Sequence, residues 1–202
     1  MKKHASKGFT LLELLVTVAV AAAVFGIAAP NFTRFAKNNR LTGDANDLLA
    51  GLYAARAEAI KQQLPTTMCF TTDPTTSAPT CNGTGKEGWI VWVDLNANAS
   101  VESDEVLVRH GPMSATTTLD RTPSNGTLVS YGANGFSRGI ANTLQGIVLC
   151  DDRKNKVLAG TTSTARGVLI ESTGRPSVNK TYNTIKTSAS LLNNDSSKAC
   201  YG

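Results

Sequence analysis

Histidine is almost missing from this chain: there are two, His4 and His110, in 202 residues. No Cys-x-x-Cys pair accompanies them. Protein zinc is held by clustered cysteine and histidine at short spacings, so no metal site of that kind is expected. Past the N-terminal leader His110 stands alone, and no serine or cysteine pattern around it supplies a nucleophile with its base. The adjacent carboxylates Asp104-Glu105 and Asp151-Asp152 read as turn residues. The expectation is therefore a protein that is not an enzyme, with no catalytic residues and no cofactor. Aromatic residues are also few, 6% of the chain, which weighs against a nucleic-acid surface built on stacking.

Charge is absent over one long stretch. From Phe9 to Ala29 the only charged residue is Glu13. The run is long enough to cross a bilayer, which takes about 20 apolar residues as a helix. It follows a short basic leader (Lys2, Lys3, His4, Lys7) that ends at Gly8. A secretory signal peptide has a shorter apolar core and places its small-residue cleavage site after that core. Here the small residue comes before it, so cleavage after Gly8 would leave the helix in the mature chain. The basic leader stays cytoplasmic by the positive-inside rule and the remainder is exported. A carboxylate at bilayer depth costs on the order of a few kcal/mol, which makes Glu13 a functional candidate.

The order Gly8, Phe9, Thr10, Leu11, Leu12, Glu13 behind a basic leader resembles the type IV pilin and pseudopilin family. The resemblance implies cleavage between Gly8 and Phe9 by a prepilin peptidase, and N-methylation of Phe9. It implies insertion in the bacterial inner membrane with the head in the periplasm. It also implies that Glu13 pairs with the Phe9 amino terminus of a neighbouring subunit during assembly. Two opposite charges are tolerable together in an apolar setting where each alone is costly. Pro30 closes the apolar run, and the family carries a kink or melted stretch at such a proline.

The net charge of +5 is uneven. The leader holds +3, residues 9–137 hold −3, and the stretch from Arg138 onward holds +5. Four cysteines (Cys69, Cys81, Cys150, Cys200) lie in the exported part, where an even count points to two disulfides among three pairings. Cys69–Cys81 is favoured as a short closure across Pro74, Pro79 and Asn82-Gly83, which leaves Cys150–Cys200 to pin the tail.

After Pro30 the apolar residues Leu41, Ala45, Leu48, Leu52, Ala55 and Ala59 recur at steps of three and four, with Leu49, Tyr53 and Ile60 widening the stripe. This is a helix with one buried face. Asp44 and Arg56 fall among charged residues mostly displaced from it. Leu64 precedes Pro65, so the helix should stop near Gln63. Beyond Pro65 no helical pattern of useful length follows. Short β-rich runs appear at Thr66–Thr71, Trp89–Leu95, Val106–His110, Thr127–Tyr131, Gly146–Asp151 and Gly167–Ser172. Lys156–Leu158 is expected to pair with Gly146–Asp151. The fold class is α+β: a long N-terminal helix packed on an antiparallel β-sheet head. Its divisions are a leader (1–8), a membrane or filament-core helix (9–30), an amphipathic helix (31–64) and a β-rich exported head (65–202).

Arg56-Ala57-Glu58-Ala59-Ile60-Lys61 and Gly88-Trp89-Ile90-Val91-Trp92-Val93-Asp94-Leu95-Asn96, with Asp104-Glu105-Val106-Leu107 after them, resemble the pseudopilin H and FimT/FimU group. That resemblance covers residues 1–110 well. It implies a minor type IV pilin that primes or tips pilus assembly, or a pseudopilin H-like component of type II secretion. The implied partners are other minor pilins or pseudopilins, a major pilin, the prepilin peptidase and the inner membrane. Asp94-x-Asn96-x-Asn98 with Glu105 approaches a calcium loop, but Ala99 stands where such a loop requires glycine, so a polar hairpin is expected. Gly174-Arg175-Pro176-Ser177 matches half of the Gly-Arg-x-Arg loop of FimT-type DNA-binding minor pilins, with Ser177 in place of the second arginine and Pro176 expected to stiffen the loop. Arg153, Lys154, Lys156, Arg166, Arg175 and Lys180 are accordingly the candidate residues for double-stranded DNA, whose phosphates favour clustered Lys and Arg.

Overall fold

The computed structural model describes residues 8–122, 127–138, 145–171, 173–187, 192 and 194–202. They fall into two compact units that meet between Asn39 and Arg40. Helix α1 (Leu11–Gln62) is 52 residues long. At its start Thr10 Oγ1 accepts from the Glu13 amide at 3.2 Å, the geometry of a threonine N-cap. It ends one residue before the expected stop, with Gln63 in the left-handed region (φ 58°) ahead of Pro65.

In the second unit every residue of the expected stripe is buried: Leu41, Ala45, Leu48, Leu52, Ala55 and Ala59. Tyr53 and Ile60 do not widen it, and each remains 46% exposed. The stripe packs against two antiparallel five-stranded sheets. The first has the order β3 (Val106–His110), β2 (Trp89–Val93), β1 (Thr66–Phe70), β5 (Thr127–Tyr131), β6 (Ser137–Arg138). The second runs β10 (Pro176–Thr181), β9 (Thr162–Ile170), β7 (Gln145–Cys150), β4 (Thr118–Thr122), with β8 (Val157–Ala159) paired to β9. A short helix, α2 (Tyr182–Thr187), follows.

Period-two alternation sorts the side chains. Met68 and Phe70 of β1, Ile147 and Leu149 of β7, and Val168 and Ile170 of β9 join the stripe in the main core. Their neighbours face outward into two satellites. Cys69, Ile90 and Trp92 form one. Val148, Cys150, Ala165, Ile185, Leu192 and Cys200 form the other, beneath α2 and the tail. Both expected disulfides are present, Cys69–Cys81 and Cys150–Cys200. Each joins a strand cysteine on an outward face to a segment lying over that face.

Two expectations are corrected here. The strand expected at Lys156–Leu158 forms at Val157–Ala159 and pairs with β9, through Val157↔Ser163, not with β7. The other edge of β7 is already taken by β4, and β9 extends five residues N-terminal of the expected Gly167. Pro176 does not stiffen a loop but opens β10, opposite Ile170.

Candidate functional site

The first unit carries the N-terminal candidates. Phe9 is 86% exposed, and the exposed large apolar residues from Leu11 to Phe35 include Leu15, Phe25 and Phe32. Among the described residues this is the one helix long and apolar enough to cross a membrane. Glu13 lies in its first turn. Pro30 stands inside the helix without ending it. Asn31 Nδ2 donates to the Ile27 carbonyl at 3.1 Å and Thr33 Oγ1 to that of Ala29 at 2.9 Å. The carbonyl that the missing Pro30 amide leaves without its helical donor is that of Gly26, and neither bond is made to it.

The basic candidates do not form one surface. Arg166 is buried, 5% exposed. Its guanidinium donates to the Ser163 and Ala165 carbonyls at 3.1 and 2.9 Å and to Thr42 Oγ1 at 3.3 Å. Burial, and then the neighbouring Arg153, pull its pKa below the ordinary arginine value, while Asp151 opposes them. Arg166 occupies an inward position of β9 and ties the sheet to α1. Arg153 is turned onto Asp151, its Nε 2.9 and 3.0 Å from the two carboxylate oxygens. Lys154, Lys156, Arg175 and Lys180 are exposed. Arg175 and Lys180 sit toward opposite ends of the β9–β10 hairpin, about 16 Å apart along a strand rising 3.3 Å per residue.

The turn displaying Arg175 is held from two sides. Gly174 has φ +78°, and a Cβ there would lie 2.4 Å from the Gly135 carbonyl oxygen. Arg56 of α1 donates from Nε to that carbonyl at 2.9 Å and reaches the Thr173 carbonyl at 3.5 Å. Tyr53 Oη donates to the Pro176 carbonyl at 3.2 Å. In the sequence Arg56 stands in a family-like run that carries no mark of this role. The turns it grips lie 79 and 117 residues away.

Asp44 was missed for the same reason. It is 9% exposed and accepts from the Ser114 hydroxyl at 3.1 Å, from the Thr117 hydroxyl at 2.5 Å and, more distantly, from the Ser114 amide. It fastens the chain leading into β4 onto α1. At Gly51 an added Cβ would meet Trp89 Cη2 at 2.6 Å. Trp89 itself stacks on His110, centroids 4.7 Å apart, and His110 Nε2 lies 3.5 Å from Asp47 Oδ2.

The Asp94–Glu105 hairpin uses its carboxylates on its own backbone. Asp94 accepts from the Asn98 and Ala99 amides at 3.1 and 3.2 Å. Glu105 accepts from those of Leu95 and Glu102 at 2.8 and 3.1 Å. Ala97 and Ala99 take positive φ, 61° and 58°. Among the described residues no group of three or more His, Cys, Asp or Glu could hold a metal ion.

Residues 44–174 match the family described as type II transport protein GspH. Residues 3–29 match the prokaryotic N-terminal methylation motif. No curated protein matches significantly. Among solved structures, the type IV minor pilin FimU of Pseudomonas aeruginosa superimposes with a TM-score of 0.52 at 21% identity, over 72% of this chain and 92% of that one. A second crystal form of FimU gives 0.50 at 20%, over 69% and 92%. The minor pseudopilin EpsH of Vibrio cholerae gives 0.47 at 9%, over 70% and 97%.

Proposed function

We propose that this chain, which belongs to the type II transport protein GspH family, is built into a filament as a minor subunit after its leader has been removed. The family and the methylation motif make it a minor pilin or pseudopilin, of a type IV pilus or of type II secretion. The finer reading is a subunit that primes or tips the filament. The prepilin peptidase cuts between Gly8 and Phe9, Phe9 is N-methylated, and Glu13 meets the Phe9 amine of a neighbour.

One observation carries this reading. An apolar helix displays its large side chains from Phe9 to Phe35, and a single carboxylate interrupts the charge-free run. Lipid satisfies such a surface before assembly and other subunits satisfy it afterwards. The carboxylate is satisfied by an amine. Mass spectrometry of the membrane-extracted protein should find N-methyl-Phe9 at the N-terminus. Glu13→Ala should leave the chain processed and membrane-bound but incorporated at least tenfold less into filaments or minor-subunit complexes. A retained Met1–Gly8 segment, or normal incorporation of Glu13→Ala, refutes the respective part.

DNA capture is a second reading, supported by Arg175 alone: an exposed arginine on a turn clamped by Arg56. Contacts to phosphate weaken steeply as salt rises. Titration of the detergent-solubilised chain with duplex DNA at low and physiological salt should show that slope, and Arg175→Ala should remove most of the affinity. No binding at low salt ends this reading.

A further inference from the structure

We propose that the β8–β9 hairpin is a second membrane contact, a basic apolar tip that rests on the anionic phospholipid headgroups of the bilayer the chain's own helix enters. The proposal rests on reading α1's apolar half as a membrane anchor. The hairpin's apolar residues are exposed: Val157 is 53% and Leu158 40% exposed, and β8 is exposed along its whole length. Lys154 and Lys156 precede them and are exposed as well.

Lys180 belongs to the same end of the sheet, since its neighbour Thr181 pairs with Thr162 at the start of β9. So does α2. The Tyr182 amide donates to the Thr161 carbonyl at 2.8 Å, and Lys186 Nζ lies 5.5 Å from the ring centroids of both Tyr182 and Tyr201. Lysines around aliphatic and tyrosine side chains are the chemistry of an interfacial surface, where cations meet anionic headgroups and amphipathic rings sit at headgroup depth. The aliphatic pair would gain nothing against a phosphodiester backbone, which favours lipid over nucleic acid.

The end of the head on which this tip lies supports the same occupant. Thr42 contacts Arg166 of β9, while Tyr53 contacts Pro176, which pairs with Ile170. Passing from Ile170 to Thr162 therefore leads toward the end of the unit where the chain enters at Arg40. Thr162 lies about 13 Å beyond Arg166 at 3.3 Å per residue, and the Gly160 turn lies beyond that. The tip therefore projects from the end of the head that carries Arg40.

The test uses the full chain in nanodiscs whose phospholipids carry brominated acyl chains, with Leu158→Trp as the reporter and Leu107→Trp on β3 as the control. Co-elution with the discs reports the anchor, and quenching reports the tip. In discs containing phosphatidylglycerol, Leu158→Trp should be quenched at least twofold more than Leu107→Trp. The excess should vanish in pure phosphatidylcholine, or when Lys154→Glu and Lys156→Glu are added. Equal quenching of the two reporters in a chain that co-elutes overturns the hairpin contact and leaves the anchor standing. Failure to co-elute overturns both. A Leu158→Trp signal that ignores anionic discs and responds to duplex DNA overturns the lipid assignment.

Discussion

Two residues on α1 show how single positions decide the packing of the head. Alanine at Gly51 would gain about 1 kcal/mol in helix propensity. It would also put a methyl group 2.6 Å from Trp89 Cη2, and the stack on His110 limits how far that indole can retreat. Overpacking of this kind costs about 1–3 kcal/mol, so Gly51→Ala should lower the thermal midpoint despite the better propensity. A rise would show that Trp89 has room to move. Asp44→Ala should also destabilise, by about 1–3 kcal/mol, because the Ser114 and Thr117 donors lose their acceptor. Denaturant titration measures the loss, and Asp44→Asn should recover part of it. Neither position was legible in the sequence. Glycine inside a helical pattern carries no mark of what faces it, and Asp44 read as a solvated charge because its partners lie 70 and 73 residues on.

Among the elements, legibility followed the density of β-branched and aromatic residues. Val106–His110 and Thr127–Tyr131 were read with their observed limits, and β1 and β2 within two residues. Their sequences carry their own signal because they are buried in the sheet interior or alternate cleanly. The strands that were missed are polar or very short: β4 reads Thr-Leu-Asp-Arg-Thr, β6 has two residues, and β10 opens with proline and continues Ser-Val-Asn-Lys-Thr. Hydrogen bonding to a neighbouring strand defines them, not a hydrophobic period. The β9–β10 turn follows the same logic. Gly174→Ala would force an L-residue to φ +78° and drive its Cβ against the Gly135 carbonyl. The left-handed conformation alone costs about 1–2 kcal/mol, so the loss should exceed 2 kcal/mol in chemical denaturation, with amide exchange rising first in β10. Arg56→Ala should raise exchange at the same turn. Unchanged exchange there would show that the turn holds without α1.

For the molecule as a whole, the N-terminal methylation motif was legible because it is written locally: Gly8, Phe9 and Glu13 are close in sequence and framed by charge. The basic candidates were not, because burial and sheet position separate Arg166 from Lys154 and Arg175 from Lys180. A global property follows from the acidic groups. Hydrogen bonds from the Thr75 side chain and amide hold Asp73 below its ordinary 3.8, and Ser197 does the same for Asp195. Burial would raise Glu87, but bonds led by the Thr84 hydroxyl keep it below 4.5. Gln62 and Lys61 lower Glu58 from 4.5. With folded values below unfolded ones, the unfolded chain binds more protons on acidification. Stability should therefore be level from neutral pH down to about 5, then fall as these groups protonate below their ordinary values. Thermal midpoints of the detergent-solubilised chain across pH 3–7 check this, and a flat profile down to pH 3 would contradict it.

The two disulfides are unequal before a reductant. Cys81 is partly open to solvent, whereas Cys150 and Cys200 are both buried. They also close different lengths of chain, 12 and 50 residues, worth about 3 and about 4 kcal/mol in the chain-entropy picture. A thiol reagent should therefore open the Cys69–Cys81 loop first, at the smaller of the two costs. Cys150–Cys200 should yield only when the tail lifts from β7, at a rate set by unfolding and not by reagent concentration. Brief reduction should therefore leave the tail fastened, with Cys69 and Cys81 alkylated before Cys150 and Cys200 in a timed labelling experiment.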